Sequence, residues 1–157
     1  MEWGSSIAIL FIALALLLVS AGIQDARTRE IANWKNAVIA LLAPLWWVAN
    51  GLSPWPDMVM QLGFAFAVFA LFCVAFYFGQ MGGGDVKLIG ALALWLPLVP
   101  MVWMLIAMSL IGGGLTIIML IDHQLNKNKG QLEVPYGVAI AIAGLIALRE
   151  PLFNQFT

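Results

Sequence analysis

Two aspartates stand where carboxylates are expensive to keep. Asp25 lies two residues beyond the end of the apolar run Ile7 to Ile23, and Asp85 opens a stretch in which Leu88 to Ile121 contains no charged residue. An ionisable group at the edge of a membrane segment is a functional candidate by default, because hydrocarbon disfavours its charge. Two carboxylates brought close together cannot both ionise freely, so they share a proton. One can then act as base on a water while the other donates a hydrogen bond to a scissile carbonyl. Such a pair titrates as a unit. Neither residue is decisive alone: Asp85 also reads as a helix-start residue after a flexible loop, and Asp25 as a solvated residue in a basic juxtamembrane stretch.

The neighbours sharpen the choice. Gly82-Gly83-Gly84 immediately precedes Asp85, leaving no side chain to obstruct an extended peptide. Asp85 then falls in the first turn of the next helix, where the dipole favours a carboxylate. Lys87 has two readings, an ammonium that favours the ionised aspartate or an anchor that snorkels to the headgroups. Asn33 is expected to cap the second helix. Arg27, Arg29 and Lys35 read as residues that set membrane orientation. Asp122-His123 reads as a solvated interfacial pair. Cys73, the single cysteine, rules out an internal disulfide and reads as a packed thiol. No metal site and no cofactor are expected.

These residues need elements to position them. Of the 157 residues, 63% are apolar and 10% charged, against about a quarter charged in a typical soluble domain. A chain this small cannot bury so much apolar surface, so lipid has to be the outer solvent. With a net charge of −1 and no basic stripe, nucleic acid is not an expected partner. Apolar runs of spanning length predict an all-α, polytopic transmembrane helix bundle of about six helices, over residues 5–24, 36–52, 58–79, 85–96, 101–121 and 135–148. Pro97 and Pro100 divide the longest run, and Gly112-Gly113-Gly114 reads as a helix-packing segment. The first run lacks the basic flank of a secretory signal and reads as a retained helix. Lysine and arginine gather in the 25–35, 80–87 and 122–133 loops, with only Arg149 opposite, so the N-terminus is expected on the periplasmic side. Trp46, Trp47, Trp55, Trp95 and Trp103 fall near helix ends, as interfacial aromatics do, or pack between helices. The whole chain, 1–157, reads as one integral-membrane domain.

At this point the sequence resembles a family. Gly82-Gly83-Gly84-Asp85-Val86-Lys87-Leu88 is similar to the Gly-x-Gly-Asp-x-Lys-Leu motif of the type IV prepilin peptidases. Asp25-Ala26-Arg27-Thr28-Arg29-Glu30-Ile31-Ala32-Asn33 looks like their first aspartate segment, with Ala32 where they usually carry proline. Pro135-Tyr136-Gly137 is similar to the segment opening their last helix. The resemblance implies an aspartic endopeptidase of the bacterial inner membrane, with Asp25 and Asp85 catalytic. It would remove the basic leader of prepilin or pseudopilin substrates at the cytoplasmic face, cutting after a glycine, and Glu30, Asp122 and Glu133 would be better placed than Arg27, Arg29 and Lys35 to attract that leader. The cysteine-bearing methyltransferase insert of the large bifunctional members has no counterpart here, so the chain resembles the short, peptidase-only forms of tight-adherence (Flp-type) pilus systems. Two rival classes remain. A small proton- or ion-coupled transporter would place its charges near the midplane and show repeated broken helices, and a non-catalytic pilus or secretion assembly factor would need neither aspartate.

Overall fold

The computed structural model describes residues 2–125 and 134–149. Among them are six α-helices and no strand: α1 Glu2–Thr28, α2 Asn33–Ala49, α3 Val59–Tyr77, α4 Gly83–Ala93, α5 Leu98–Leu125 and α6 Tyr136–Ala147. The protein is a helical membrane bundle. α1, α5, and α3 with the turn before it are each long and apolar enough to cross a membrane.

Long and short helices divide the work. α4 has 11 residues and α6 has 12, so each is about 16–18 Å long, well short of the hydrocarbon thickness of about 30 Å. Both are interior. α4 packs against α2, α3 and α6, and α6 against α1, α4 and α5. Their burial is dense: Leu88, Ile89 and Leu92 on α4 and Ala139, Ile140 and Ala143 on α6 are fully enclosed. The outer helices instead turn large apolar side chains such as Ile12, Leu16, Phe66, Leu71, Leu110 and Ile118 outward, as a lipid solvent requires. The last apolar run is therefore short because it is a core helix, with small residues that let its neighbours approach.

A helix that stops inside a bundle leaves backbone carbonyls without partners, and in lipid there is no water to satisfy them. Side chains close this gap at the end of α4. Gln61 Nε2 donates to the carbonyls of Ala93 (2.7 Å) and Leu96 (3.0 Å), and Trp47 Nε1 donates to Leu94 O at 2.7 Å. Trp95 Nε1 reaches back to Ile39 O at 2.8 Å, and its ring stacks on Trp46 with centroids 5.7 Å apart. Of the tryptophans near helix ends, Trp46, Trp47 and Trp95 are thus buried cross-links, while Trp55 and Trp103 are exposed.

The termini of α2 and α3 follow local rules. Gly51 (φ 71°) and Gly79 (φ 69°) adopt the left-handed conformation, and the following amides bond back to Trp47 O and Ala75 O, the glycine-terminated C-cap that residues with a Cβ adopt only at a cost. Other boundaries differ from expectation. α1 continues through Asp25 to Thr28, so the loop to α2 is only residues 29–32. α5 starts at Leu98, with Pro100 in its first turn where proline loses no helix bond, and extends to Leu125, so Asp122 and His123 are helical rather than in a loop. Lys127, Lys129 and Glu133 lie outside the described residues.

Replacing Gln61 by Leu should strip two carbonyls of their donor and lower bundle stability by about 1–2 kcal/mol. Thermal or denaturant unfolding in lipid nanodiscs would show it, and a conservative Gln61→Asn should recover little because the side chain is one methylene shorter.

Candidate active site

Both aspartates sit at the same end of the bundle. Asp25 occupies the last turn of α1, 4% exposed, and Asp85 the first turn of α4, 9% exposed. Two adjoining cavities, about 290 and 500 Å³, open beside them, and Asp25, Arg29, Glu30, Gly82 and Asp85 line both. The larger one continues along Gly79, Gln80 and Met81 to Val134 and Tyr136. The structure thus gathers the loop after α1, the glycine loop before α4 and the start of α6 around one recess.

Local sequence explains how Asp85 is held. Gly82 is the extended residue before α4 (φ −70°, ψ 146°), which makes Asp85 the third residue of the helix. From there a carboxylate can fold back toward the capping residue, as in a capping box, and Asp85 Oδ2 lies 3.2 Å from where a Cβ on Gly82 would stand. Gly84 faces the loop after α1. A Cβ there would lie 3.3 Å from Ile31 Cβ and 3.4 Å from Ile31 N, so its bareness lets that loop close against α4. Gly83 meets the ring of Phe76. Asn36 Nδ2 then ties α2 to the same turn by donating to Gly84 O at 3.2 Å.

Asp25 is held by α6. The Val138 amide donates to its Oδ2 at 3.2 Å. One turn deeper, a Cβ on Gly22 would be 3.1 Å from Ala141 Cβ. These antiparallel helices therefore touch at Gly22 and Ala141, and one turn onward from that contact Asp25 is brought against Gly137.

With this geometry in place, a comparison with protein families is informative: the type IV leader peptidase family matches residues 11–117. The chain belongs to the type IV leader peptidase family. The match includes both aspartates and the glycine loop, and the family assigns peptidase character and prepilin-type substrates in general. Neither curated proteins nor solved structures gave a match.

Several supporting residues behave differently from expectation. Lys87 Nζ donates to Asn33 Oδ1 at 2.8 Å, so it joins α4 to the start of α2. Asn33 does not cap α2: the capping position is Ala32, which offers no side-chain bond, and the Asn33 oxygen is engaged by Lys87. Lys35, expected to set membrane orientation, is 7% exposed and donates to Ser20 Oγ (2.7 Å) and Ser20 O (2.9 Å), latching α2 to α1. Asn36 escaped notice in the sequence, although a polar residue opening an apolar run was a usable signal. Lys35 gave no such signal, because a basic residue beside a span reads the same whether it points out or in. Among the described residues no group of three His, Cys, Asp or Glu side chains gathers as a metal site would need.

The Lys87–Asn33 bond should be visible as coupling. Lys87→Ala and Asn33→Ala should each cost roughly 0.5–1.5 kcal/mol of stability, and the double variant no more than the worse single one. Fully additive losses in an unfolding experiment would mean that the two side chains act independently.

Proposed function

We propose that the protein is a membrane-embedded aspartic endopeptidase in which Asp25 and Asp85 are the catalytic pair. Its substrates would be prepilin-like or pseudopilin proteins, cleaved at the cytoplasmic face of a bacterial inner membrane to release a basic leader. The observation that carries the reading is that two buried carboxylates, far apart in sequence, line one recess beside a glycine loop in a chain of this family.

The chemistry follows from placing both carboxyl groups in one site. Crowding leaves a single proton between them. The ionised group takes a proton from water as its oxygen attacks the scissile carbonyl, and the protonated group donates a hydrogen bond to that carbonyl oxygen. A tetrahedral intermediate forms. Its C–N bond then breaks as a proton moves to the departing amine, which returns the pair to its singly protonated state. The proton belongs to the pair throughout, so no fixed assignment of acid and base is needed. Burial favours this because electrostatic interactions are stronger away from water.

Two features support the orientation and substrate class. Arg27, Arg29 and Lys87 lie at the end of the bundle that holds the recess, which under the positive-inside tendency faces the cytoplasm. Glu30 lines both cavities and offers a negative group to a basic leader. Gly82, Gly83 and Gly84 flank the recess as an unobstructed edge for an extended peptide.

Asp25→Ala, Asp25→Asn, Asp85→Ala and Asp85→Asn should each abolish leader removal from a co-expressed prepilin, a loss of at least about a thousandfold, because an amide cannot carry the proton. Asp57→Ala should process normally, since Asp57 accepts hydrogen bonds from Ser53 in the turn before α3 (2.9 and 3.0 Å), and Asp122→Ala likewise. A gel shift between precursor and mature pilin reads the outcome. Mature pilin from either Asp25 or Asp85 variant, at normal protein level, would end the proposal.

A further inference from the structure

We propose that Gly137 and the amide of Val138, in the first turn of α6, are positioning elements that set where the Asp25 carboxyl group meets Asp85. The inference rests on the peptidase reading above and adds to it the part of the chain that lies beyond the family match.

Three observations converge. The Val138 amide donates to Asp25 Oδ2 at 3.2 Å. A Cβ built on Gly137 would lie 2.7 Å from Asp25 Cγ and 2.8 Å from Oδ2, and 2.8 Å from Ile31 Cδ1. These separations are shorter than any stable carbon contact, where the optimum is about 3.5–4 Å, so something would have to move. The third observation says what cannot. The Ile31 end is a terminal methyl that can turn aside, but the α1 backbone that carries Asp25 is pinned one turn deeper by the Gly22–Ala141 contact. The group left to yield is the carboxyl itself, which rotates or withdraws from its amide.

Gly144 provides the internal comparison. It lies on the same helix, also buried, roughly two turns away. The nearest atoms to a Cβ there would be Leu18 Cδ1 and Leu92 Cδ1, both at 3.3 Å, and Leu92 Cδ2 at 3.7 Å, ends of flexible side chains that turn aside. An alanine at Gly144 therefore reports helix packing alone. An alanine at Gly137 reports packing plus displacement of Asp25. Val138 separates the amide from the side chain: Val138→Pro deletes the donor to Asp25 together with its turn bond to Pro135 O (3.2 Å), a loss whose structural part thermal unfolding reads, whereas Val138→Ala trims the side chain and keeps the amide.

The test uses the full chain in lipid nanodiscs and a synthetic single-span substrate with a basic leader and a glycine before the scissile bond, measuring kcat, KM and thermal unfolding. Gly137→Ala is expected to lower kcat about a hundredfold, the scale of a misplacement near 1 Å, with KM within about twofold. Gly144→Ala should keep kcat near that of the unaltered chain. Val138→Pro should lower kcat about tenfold, the loss of one hydrogen bond to a charged group, and Val138→Ala should not. Full kcat in Gly137→Ala, an equal loss in Gly144→Ala, or equal kcat in Val138→Pro and Val138→Ala would each overturn the inference. Should Gly137→Ala fail to fold, the Val138 pair decides alone. Turnover that survives Asp25→Ala would instead overturn the peptidase reading beneath it, so the two failures are distinguishable.

Discussion

The Asp25 carboxylate needs hydrogen-bond donors inside a bundle whose outer solvent has none, and the donor comes from backbone exposed at the start of α6. A carboxylate withdrawn from water pays a desolvation cost that only close polar partners offset. The approach is close because Gly137 has no side chain, and it is aimed because α1 and α6 touch at Gly22 and Ala141 one turn below. Asp85 is packed in a corresponding way, with its carboxyl group folded against Gly82 and with Gly84 leaving room for Ile31. Ile31 separates the two cradles, touching Gly84 on one side and Gly137 on the other. The recess between the aspartates is what remains when these backbones are packed this tightly.

The division into long lipid-facing helices and short interior ones follows from the same requirement. α4 and α6 begin at the recess and end within the bundle, so their starting amides are available to the site and their terminal carbonyls need internal partners. Gln61 and Trp47 supply those at the end of α4. Lys35 on Ser20 and Asn36 on Gly84 fix the α1–α2 and α2–α4 contacts around the recess. Association of helices in lipid gains little from the hydrophobic effect, so these few directional bonds carry much of the specificity of the arrangement.

Much of this was legible in the residues, for identifiable reasons. Helix ends at Gly51 and Gly79 were readable because a left-handed C-cap selects glycine, and the two aspartates stood out because carboxylates beside apolar runs are rare. The ends of α1 and α5 were misread because polarity was taken as the end of a helix, whereas Asp25, Asp122 and His123 continue theirs. The roles of Asn33, Lys35, Trp46, Trp47 and Trp95 depend on which neighbouring helix each side chain meets. That information is tertiary, and hydropathy along one chain does not contain it. The third motif, Pro135-Tyr136-Gly137, was visible as a pattern, but its contact with Asp25 required the fold.

The central claim is that the two carboxyl groups form one hydrolytic site. The most direct measurement is a structure of the protein with a peptide in which a hydroxyl-bearing tetrahedral carbon replaces the scissile carbonyl, since such analogues bind where the transition state forms. The account predicts that the hydroxyl lies between Asp25 and Asp85, within hydrogen-bond distance (about 2.5–3.0 Å) of a carboxylate oxygen from each. A hydroxyl that contacts only one of them, or a peptide bound away from the recess, would contradict it.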